Sequence, residues 1–259
     1  MKSKGVPMDK APSSFYNERK RTLKEYFMKT IIGIICAMEE ELAPLKKLMT
    51  LQEKKTKASM DFYQGTLQEV ETVMVVSGIG KVNAAVCAQI LCDDYSVTHL
   101  INVGVAGGVK ENIEPMDVVV ATTLIQHDMD VTAFGLPRGD IPRMETSHFK
   151  ADAQLSAWAL EASRINTSYT THEGVIVSGD QFIHSKDKVM DLLTTFDASA
   201  CEMEGASIAQ VAHLNGLPFA VIRAISDNAN TGAGMDYEKF KDLAVENTVS
   251  LLLHILKKL

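Results

Sequence analysis

No apolar run in this sequence approaches the ~20 residues that a membrane-spanning helix needs. Ile31 to Met38 comes nearest to a secretory core, but Glu39-Glu40-Glu41 follows at once and no small-residue cleavage site appears. Cysteine is scarce: Cys36, Cys87, Cys92 and Cys201 form no C-x-x-C pair and no Cys/His zinc spacing. Neither a disulfide framework nor a structural metal is expected from them. An excess of basic charge is also missing, and a formal net charge of −7 argues against nucleic acid as a partner. The expectation is a reduced, cytoplasmic protein with no cofactor, no metal and no membrane to bind.

What is present is an ordinary globular composition, 46% hydrophobic and 23% charged over 259 residues, enough for one large domain with a substantial core. Charge is unevenly spread. Residues 1–30 hold eight Lys/Arg against three Asp/Glu, which leaves an acidic body behind a basic tail. Residues 1–28 are polar, basic and aperiodic, and are expected to form an extension outside a domain spanning 29–259. Met28, just before the first strand, reads as an alternative start.

Strand and helix patterns then alternate without repeats or linkers. Ile31 to Cys36 reads as a buried strand, and the three acids after it suit the positive first turn of a helix. Asp61 to Gln64 and Val70 to Val76 read as the strands of a hairpin. Ser77-Gly78-Ile79-Gly80-Lys81 is a glycine turn opening a helix from Val82 to Leu91. It lacks the spacing of a phosphate loop, yet it can offer backbone N–H groups and the Ser77 hydroxyl to a small ligand. Leu100 to Val103 is a strand ending in Gly104-Val-Ala-Gly107-Gly108, a second close backbone approach. Asp117 to Leu124 is a further strand. His127, Asp128 and Asp130 after it form a possible divalent-metal trio, although alternating residues of an extended segment point apart. Residues 135–147 read as a loop, 151–165 as a helix with Trp158 in the core, and 174–180 as a strand and turn that projects Phe182. The last helix is expected from about Tyr237 to Leu256. The whole is a three-layer α/β/α domain with a central mixed sheet.

The most informative stretch is Ala200 to Asp227. Glu202 and Glu204 precede a helix that Gly216 and Pro218 stop, and the apolar strand from Leu217 to Ile225 is interrupted only by Arg223. It ends in Ser226-Asp227, an acid at a strand end, where open α/β sheets build their ligand sites. A surface acid pair and a strand-end turn would read the same way. The candidate set is thus Glu41, Ser77, Phe182, Glu202, Met203, Glu204, Arg223 and Asp227.

Seven motifs occur in order: I-I-C-A-M-E-E-E-L, S-G-I-G-K, N-V-G-V-A-G-G, H-D-M-D-V-T-A-F-G, V-S-G-D-Q-F-I, E-M-E-G-A and R-A-I-S-D. Together, from about Met28 to the C-terminus, they resemble the bacterial 5′-methylthioadenosine/S-adenosylhomocysteine nucleosidases, of the nucleoside phosphorylase/hydrolase fold. The resemblance implies an N-ribosyl hydrolase in methionine salvage, releasing adenine together with 5-methylthioribose or S-ribosylhomocysteine. It implies that Asp227, beside Ser226, protonates the purine and that Glu41 activates water with help from Arg223 and Ser77. Glu204 and the Met203 backbone would hold the ribose hydroxyls, next to Glu202. Phe182 would stack on adenine, with the Ile183 backbone reading its edge. Met38, Met203 and Tyr237 would line the ribose and 5′-thio region. A homodimer is implied too, with Val131 and Phe134 serving the neighbouring pocket. Leu136 and Tyr237 stand where relatives often carry Tyr and Phe, which leaves the preferred 5′ group open.

The chemistry supports a paired acid and base independently. Breaking a ribosyl C–N bond develops a cationic sugar and an anionic purine, and two carboxyls can serve the two sides. Burial can keep the acid protonated. The alternatives in the same fold are a related purine nucleosidase, such as an aminofutalosine hydrolase, and a phosphate-dependent phosphorylase. A phosphorylase would want an arginine fork for phosphate, whereas the candidate set holds Arg223 alone. A nucleoside sensor without turnover is the alternative outside catalysis.

Overall fold

Runs of buried branched residues alternate with helices that have one apolar side, and the sheet takes its order from the first and its cover from the second. The computed structural model describes residues 29–164, 169–228 and 233–259, with 228, 233–239 and 241–243 as backbone only. Ten strands form one sheet: β1 (Ile31–Cys36), β2 (Thr50–Lys57), β3 (Met60–Leu67), β4 (Val70–Val76), β5 (His99–Gly108), β6 (Val118–Gln126), β7 (Phe149–Lys150), β8 (Thr171–Ser178), β9 (Ala198–Glu202) and β10 (Phe219–Asn228). The helices are α1 (Glu39–Leu48), α2 (Lys81–Tyr95), α3 (Ala153–Ser163), α4 (Lys186–Phe196), α5 (Gly205–Asn215) and α6 (Ala233–Leu256).

The sheet is mixed. β1 runs parallel to β4 and β5, and β10 parallel to β5, while β3 is antiparallel to both β2 and β4. The expected hairpin is the β3–β4 pair, with Gln64 opposite Val73. At the other end the sheet closes on itself. β5 pairs β10, β10 pairs β6, β6 pairs β8, β8 pairs β9, and β9 returns to β5. A ring of five strands therefore sits within the layered sheet.

Alternation along the strands divides the core between two faces. On β10, Phe219, Val221 and Ile225 join a cluster packed by α2 and α5, through residues such as Ala84, Leu91, Ile208 and Ala209. Ala220, Ile222 and Ala224 face the other way, to α1, α3 and α6 through Leu42, Leu155, Leu252 and Ile255. Helices on both faces make the three layers. α4 covers a smaller cluster beside β8 and β9, with Val189, Leu192 and Phe196.

Several boundaries follow local chemistry. Gly216 ends α5 in the left-handed conformation, φ 66°, and its N–H donates to the carbonyls of Ala212 and His213. Asp152 caps α3 by accepting from the N–H groups of Gln154 and Leu155. α2 extends to Tyr95, past the expected end at Leu91, and α6 begins at Ala233 rather than Tyr237. β2, β9 and α4 are elements that the sequence patterns did not mark. Among the described residues no helix is long and apolar enough to cross a membrane.

Candidate active site

The C-terminal ends of β1, β5 and β10 meet the start of α5 around a cleft of about 240 Å³. Met38, Glu41, Phe182, Ile183, Glu202, Met203, Glu204, Ser226 and Asp227, all singled out from the sequence, line it together.

Glu41 enters from α1. Of the three acids in that first turn only Glu41 is buried; Glu39 and Glu40 face solvent. Its Oε2 accepts from the N–H groups of Ala37 (2.8 Å) and Met38 (3.0 Å), and its Oε1 from that of Val105 on β5 (3.0 Å). Burial pushes its carboxyl above the ordinary value, although Arg223 and those amides pull the other way. Gly104 makes the close approach possible. A Cβ there would stand 2.5 Å from Glu41 Oε1 and 2.9 Å from Arg223 Nη1.

Arg223 is 1% exposed on β10. Its Nη2 donates to Glu202 Oε2 and to Asn102 Oδ1, both at 2.5 Å, and its Nε donates to Glu202 Oε2 at 3.2 Å. Burial works against its charge, but Glu202, Glu204 and Glu41 around it hold its pKa above the ordinary value. Glu202 is equally committed. Its Oε2 also accepts from the N–H groups of Glu204 (3.1 Å) and Gly205 (2.8 Å), and its Oε1 accepts from the Ser178 hydroxyl. Glu202 thus lines the cleft while bracing the start of α5. Asn102 and Ser178 belong to this network and were missed from sequence; their trace is a lone Asn inside a buried strand and a Ser at a strand end.

Glu204, at the N-cap of α5, is less encumbered. Its Oε1 accepts from the Gly80 N–H at 2.8 Å, and its Oε2 lies 3.8 Å from Arg223 Nη2. Burial first, and the Glu202 carboxylate second, push its carboxyl up to about 7.

Asp227 owes its orientation to a bulge. β10 and β5 are in register up to Ile225 opposite Ala106, and then Asp227 stands opposite Gly107, with Ser226 as the extra residue. A regular strand would send Ser226 and Asp227 to opposite faces. With the bulge both line the cleft. The Ser226 hydroxyl donates to Asp227 Oδ1 at 2.8 Å.

Other candidates fall elsewhere. Ser77 is buried and is not part of the cleft lining, with its hydroxyl donating to the carbonyl of Gly78 (2.8 Å) and that of Cys36 (3.3 Å). Val131 is half-buried and Phe134 is 85% exposed on a 3-10 turn, and neither lines this cleft. The Tyr237 side chain lies outside the described residues. The metal trio is split: Asp128 pairs with Lys81, Asp130 accepts from the N–H and hydroxyl of Thr132, and His127 is buried. Among the described residues no group of three His, Cys, Asp or Glu is placed to hold a metal ion. Ala37, Ile79, Gln181, Cys201 and the Val105–Gly107 segment of β5 complete the lining. Of these, the β5 segment was visible in the sequence as a run of small residues.

Buried carboxyls, Glu41 and Asp227 among them, face one cleft at the strand ends of a layered α/β sheet, the place and chemistry of a small-molecule enzyme site, and the sequence comparisons name the family. The phosphorylase superfamily profile matches residues 31–257. A 5′-methylthioadenosine/S-adenosylhomocysteine nucleosidase of an Exiguobacterium species is 39% identical over 229 residues, 88% of this chain and 98% of that protein. The crystal structure of the Neisseria meningitidis nucleosidase of the same name, in complex with methylthio-immucillin-A, superposes with a TM-score of 0.85 at 35% identity, covering 89% of this chain and all (100%) of that one. That from Colwellia psychrerythraea, in complex with adenine, gives a TM-score of 0.85 at 35% identity over 90% of this chain and 97% of its own. The chain belongs to the 5′-methylthioadenosine/S-adenosylhomocysteine nucleosidases of the phosphorylase superfamily.

Proposed function

We propose that the protein hydrolyses the N-ribosyl bond of 5′-methylthioadenosine and S-adenosylhomocysteine, releasing adenine and the 5-thio-substituted ribose. The observation that carries this is the placement of Glu41 and Asp227 along β5. Glu41 is bonded to the Val105 N–H and Asp227 is paired with Gly107, two residues further on. Both carboxyls line the same cleft, so a water and a ribosyl carbon held there can meet an acid and a base.

In the reaction Glu41 takes a proton from water, a task that its raised pKa suits. The water oxygen attacks C1′ of the ribose as the bond from C1′ to N9 breaks. The bond's electron pair passes into the purine, and Asp227 gives its proton to N7. Glu204 and the Met203 backbone hold the ribose hydroxyls, and Phe182 and Ile183 flank the adenine. Arg223 sustains the charges of its carboxylate neighbours.

Water rather than phosphate is the nucleophile on this reading. Nε and Nη2 of Arg223 are engaged by Glu202 and Asn102, only Nη1 is without a partner among the described residues, and Arg223 is not part of the cleft lining, so an anion would find no two-pronged fork. Incubation with each nucleoside, with and without phosphate, tests this. Adenine and a reducing thio-sugar should appear at the same rate in both. A requirement for phosphate, with a sugar 1-phosphate as co-product, would overturn it.

The working form is a cytoplasmic homodimer. Ile79 in the turn before α2, and Val82 and Val86 along its start, lie exposed, and Phe134 and Leu136 are exposed on the 3-10 turn and the loop after it. Their apolar area is what a second copy would cover. Phe134 then reaches the neighbour's pocket.

A further inference from the structure

Outside the cleft lining lies a connected set of charged and polar groups that the proposed chemistry leaves unused. Asp128 follows the end of β6. Its Oδ1 accepts from Lys81 Nζ at 2.6 Å, and its Oδ2 accepts from the Asp180 N–H at 3.0 Å. Asp180 returns the link, because its Oδ1 accepts from the Lys81 N–H at 2.8 Å. Lys81 Nζ also donates to Gln126 Oε1 at 3.1 Å, and Gln126 is tied to Gln210 of α5 at 2.6 Å. The Lys81 and Asp128 side chains are each 17% exposed, sheltered enough for the pair to hold its geometry. Burial alone would raise the Asp128 carboxyl, but the Lys81 ammonium and the Asp180 amide hold it below the ordinary value.

Each end of this triangle adjoins one wall of the cleft. Lys81 follows Gly80, whose N–H is the donor to Glu204. Asp180 precedes Gln181, Phe182 and Ile183, all of which line the cleft. Clearance is small on both sides: a Cβ on Gly80 would stand 3.1 Å from Asp180 Oδ1, and one on Gly179 would stand 3.1 Å from Asp128 Cγ. We propose that Lys81 and Asp128 are positioning residues that fix the ribose-side loop at Gly80 against the base-side turn at 180–183, and so set nucleoside affinity without touching the nucleoside. The proposal rests on the roles given above to Glu204 and Phe182.

The two residues are expected to act differently, which provides the test. Lys81→Met keeps the stem and the backbone bond to Asp180 but removes the ammonium that ties this turn to Asp128 and Gln126, so the Gly80 side is held by fewer bonds while the Asp180 N–H still reaches Asp128. It should raise KM for 5′-methylthioadenosine by about 10- to 100-fold, the range for one charge-assisted hydrogen bond, and change the Kd of free adenine by less than about threefold. Asp128→Asn offers one carbonyl acceptor where two are needed, so both KM and the adenine Kd should rise. Lys81→Arg should recover most of the affinity. Unchanged KM and adenine Kd in folded variants would overturn the proposal. So would equal losses in KM, kcat and melting temperature without recovery by Lys81→Arg, since those mark a fold element only. If Lys81→Met does not fold, Asp128→Asn carries the test on the same two constants, and a folded Asp128→Asn that raises neither is equally fatal. Glu204→Gln, measured alongside, separates the levels. If it leaves KM unchanged, the ribose role of Glu204 itself is refuted; if it raises KM while Lys81→Met does not, only the positioning role fails.

Discussion

The Asp227 carboxyl is 2% exposed, with the Ser226 hydroxyl donating to one oxygen and the cleft in front of it. Asparagine there keeps the shape and can still offer a hydrogen to N7, but it cannot release a proton. Asp227→Asn should therefore lower kcat by about 10²–10⁴-fold with little change in ground-state binding, because the lost interaction belongs to the transition state. Steady-state kinetics with an inhibitor-binding titration would check it; a rise in KM alone with kcat intact would reduce Asp227 to an adenine-orienting group. The sequence showed Asp227 as an acid ending a buried strand, but not the bulge that turns it into the cleft. A bulge depends on pairing with β5, which no local pattern encodes. The same limit applies to the three acids of α1, where the pattern alone cannot say that Glu41 turns inward to the Ala37, Met38 and Val105 amides.

At the scale of elements, the start of α5 carries an electrostatic cost. Glu202 and Glu204 flank the first turn, and the Glu204 carboxyl is pushed up to about 7 from an ordinary 4.5. The folded state then holds a proton that the unfolded chain has lost, so this contribution is fully present below about pH 4.5 and disappears as pH rises through about 7. Urea unfolding of the unliganded protein at pH 5, 6, 7 and 8 should show stability falling with pH more steeply in wild type than in Glu204→Gln. Parallel slopes would mean that Glu204 titrates as it does in the unfolded chain. α5 and β10 were legible because Gly216 and Pro218 punctuate them. β2 was not: its eight residues T-L-Q-E-K-K-T-K are all exposed, so no apolar alternation marks a strand held only by pairing with β3. β9 is five residues of mostly small side chains, too short for a period to appear. Its last residue, Glu202, is nevertheless the hub of the buried network, and burial of that kind is set by partners distant in sequence.

For the molecule as a whole, Phe134 stands out as a large apolar side chain that is 85% exposed and is not part of its own cleft lining. If a second copy completes the site, wild type should sediment as a dimer and Phe134→Ala should lose about tenfold or more in kcat/KM with its melting temperature little changed. Full activity at a concentration where the protein sediments as a monomer would contradict that. The closed ring of five strands carries a further consequence, for hydrogen exchange. β10 has neighbours on both flanks and bears Arg223, Ser226 and Asp227, whereas β2 pairs on one side only. Local fraying can release deuterium-accessible amides from β2, but the Val118–Val120 and Leu100–Ala106 partners of β10 must part before its own can exchange. The strand that carries the acid should thus be among the last to exchange, and its slowest amides should report the global unfolding free energy.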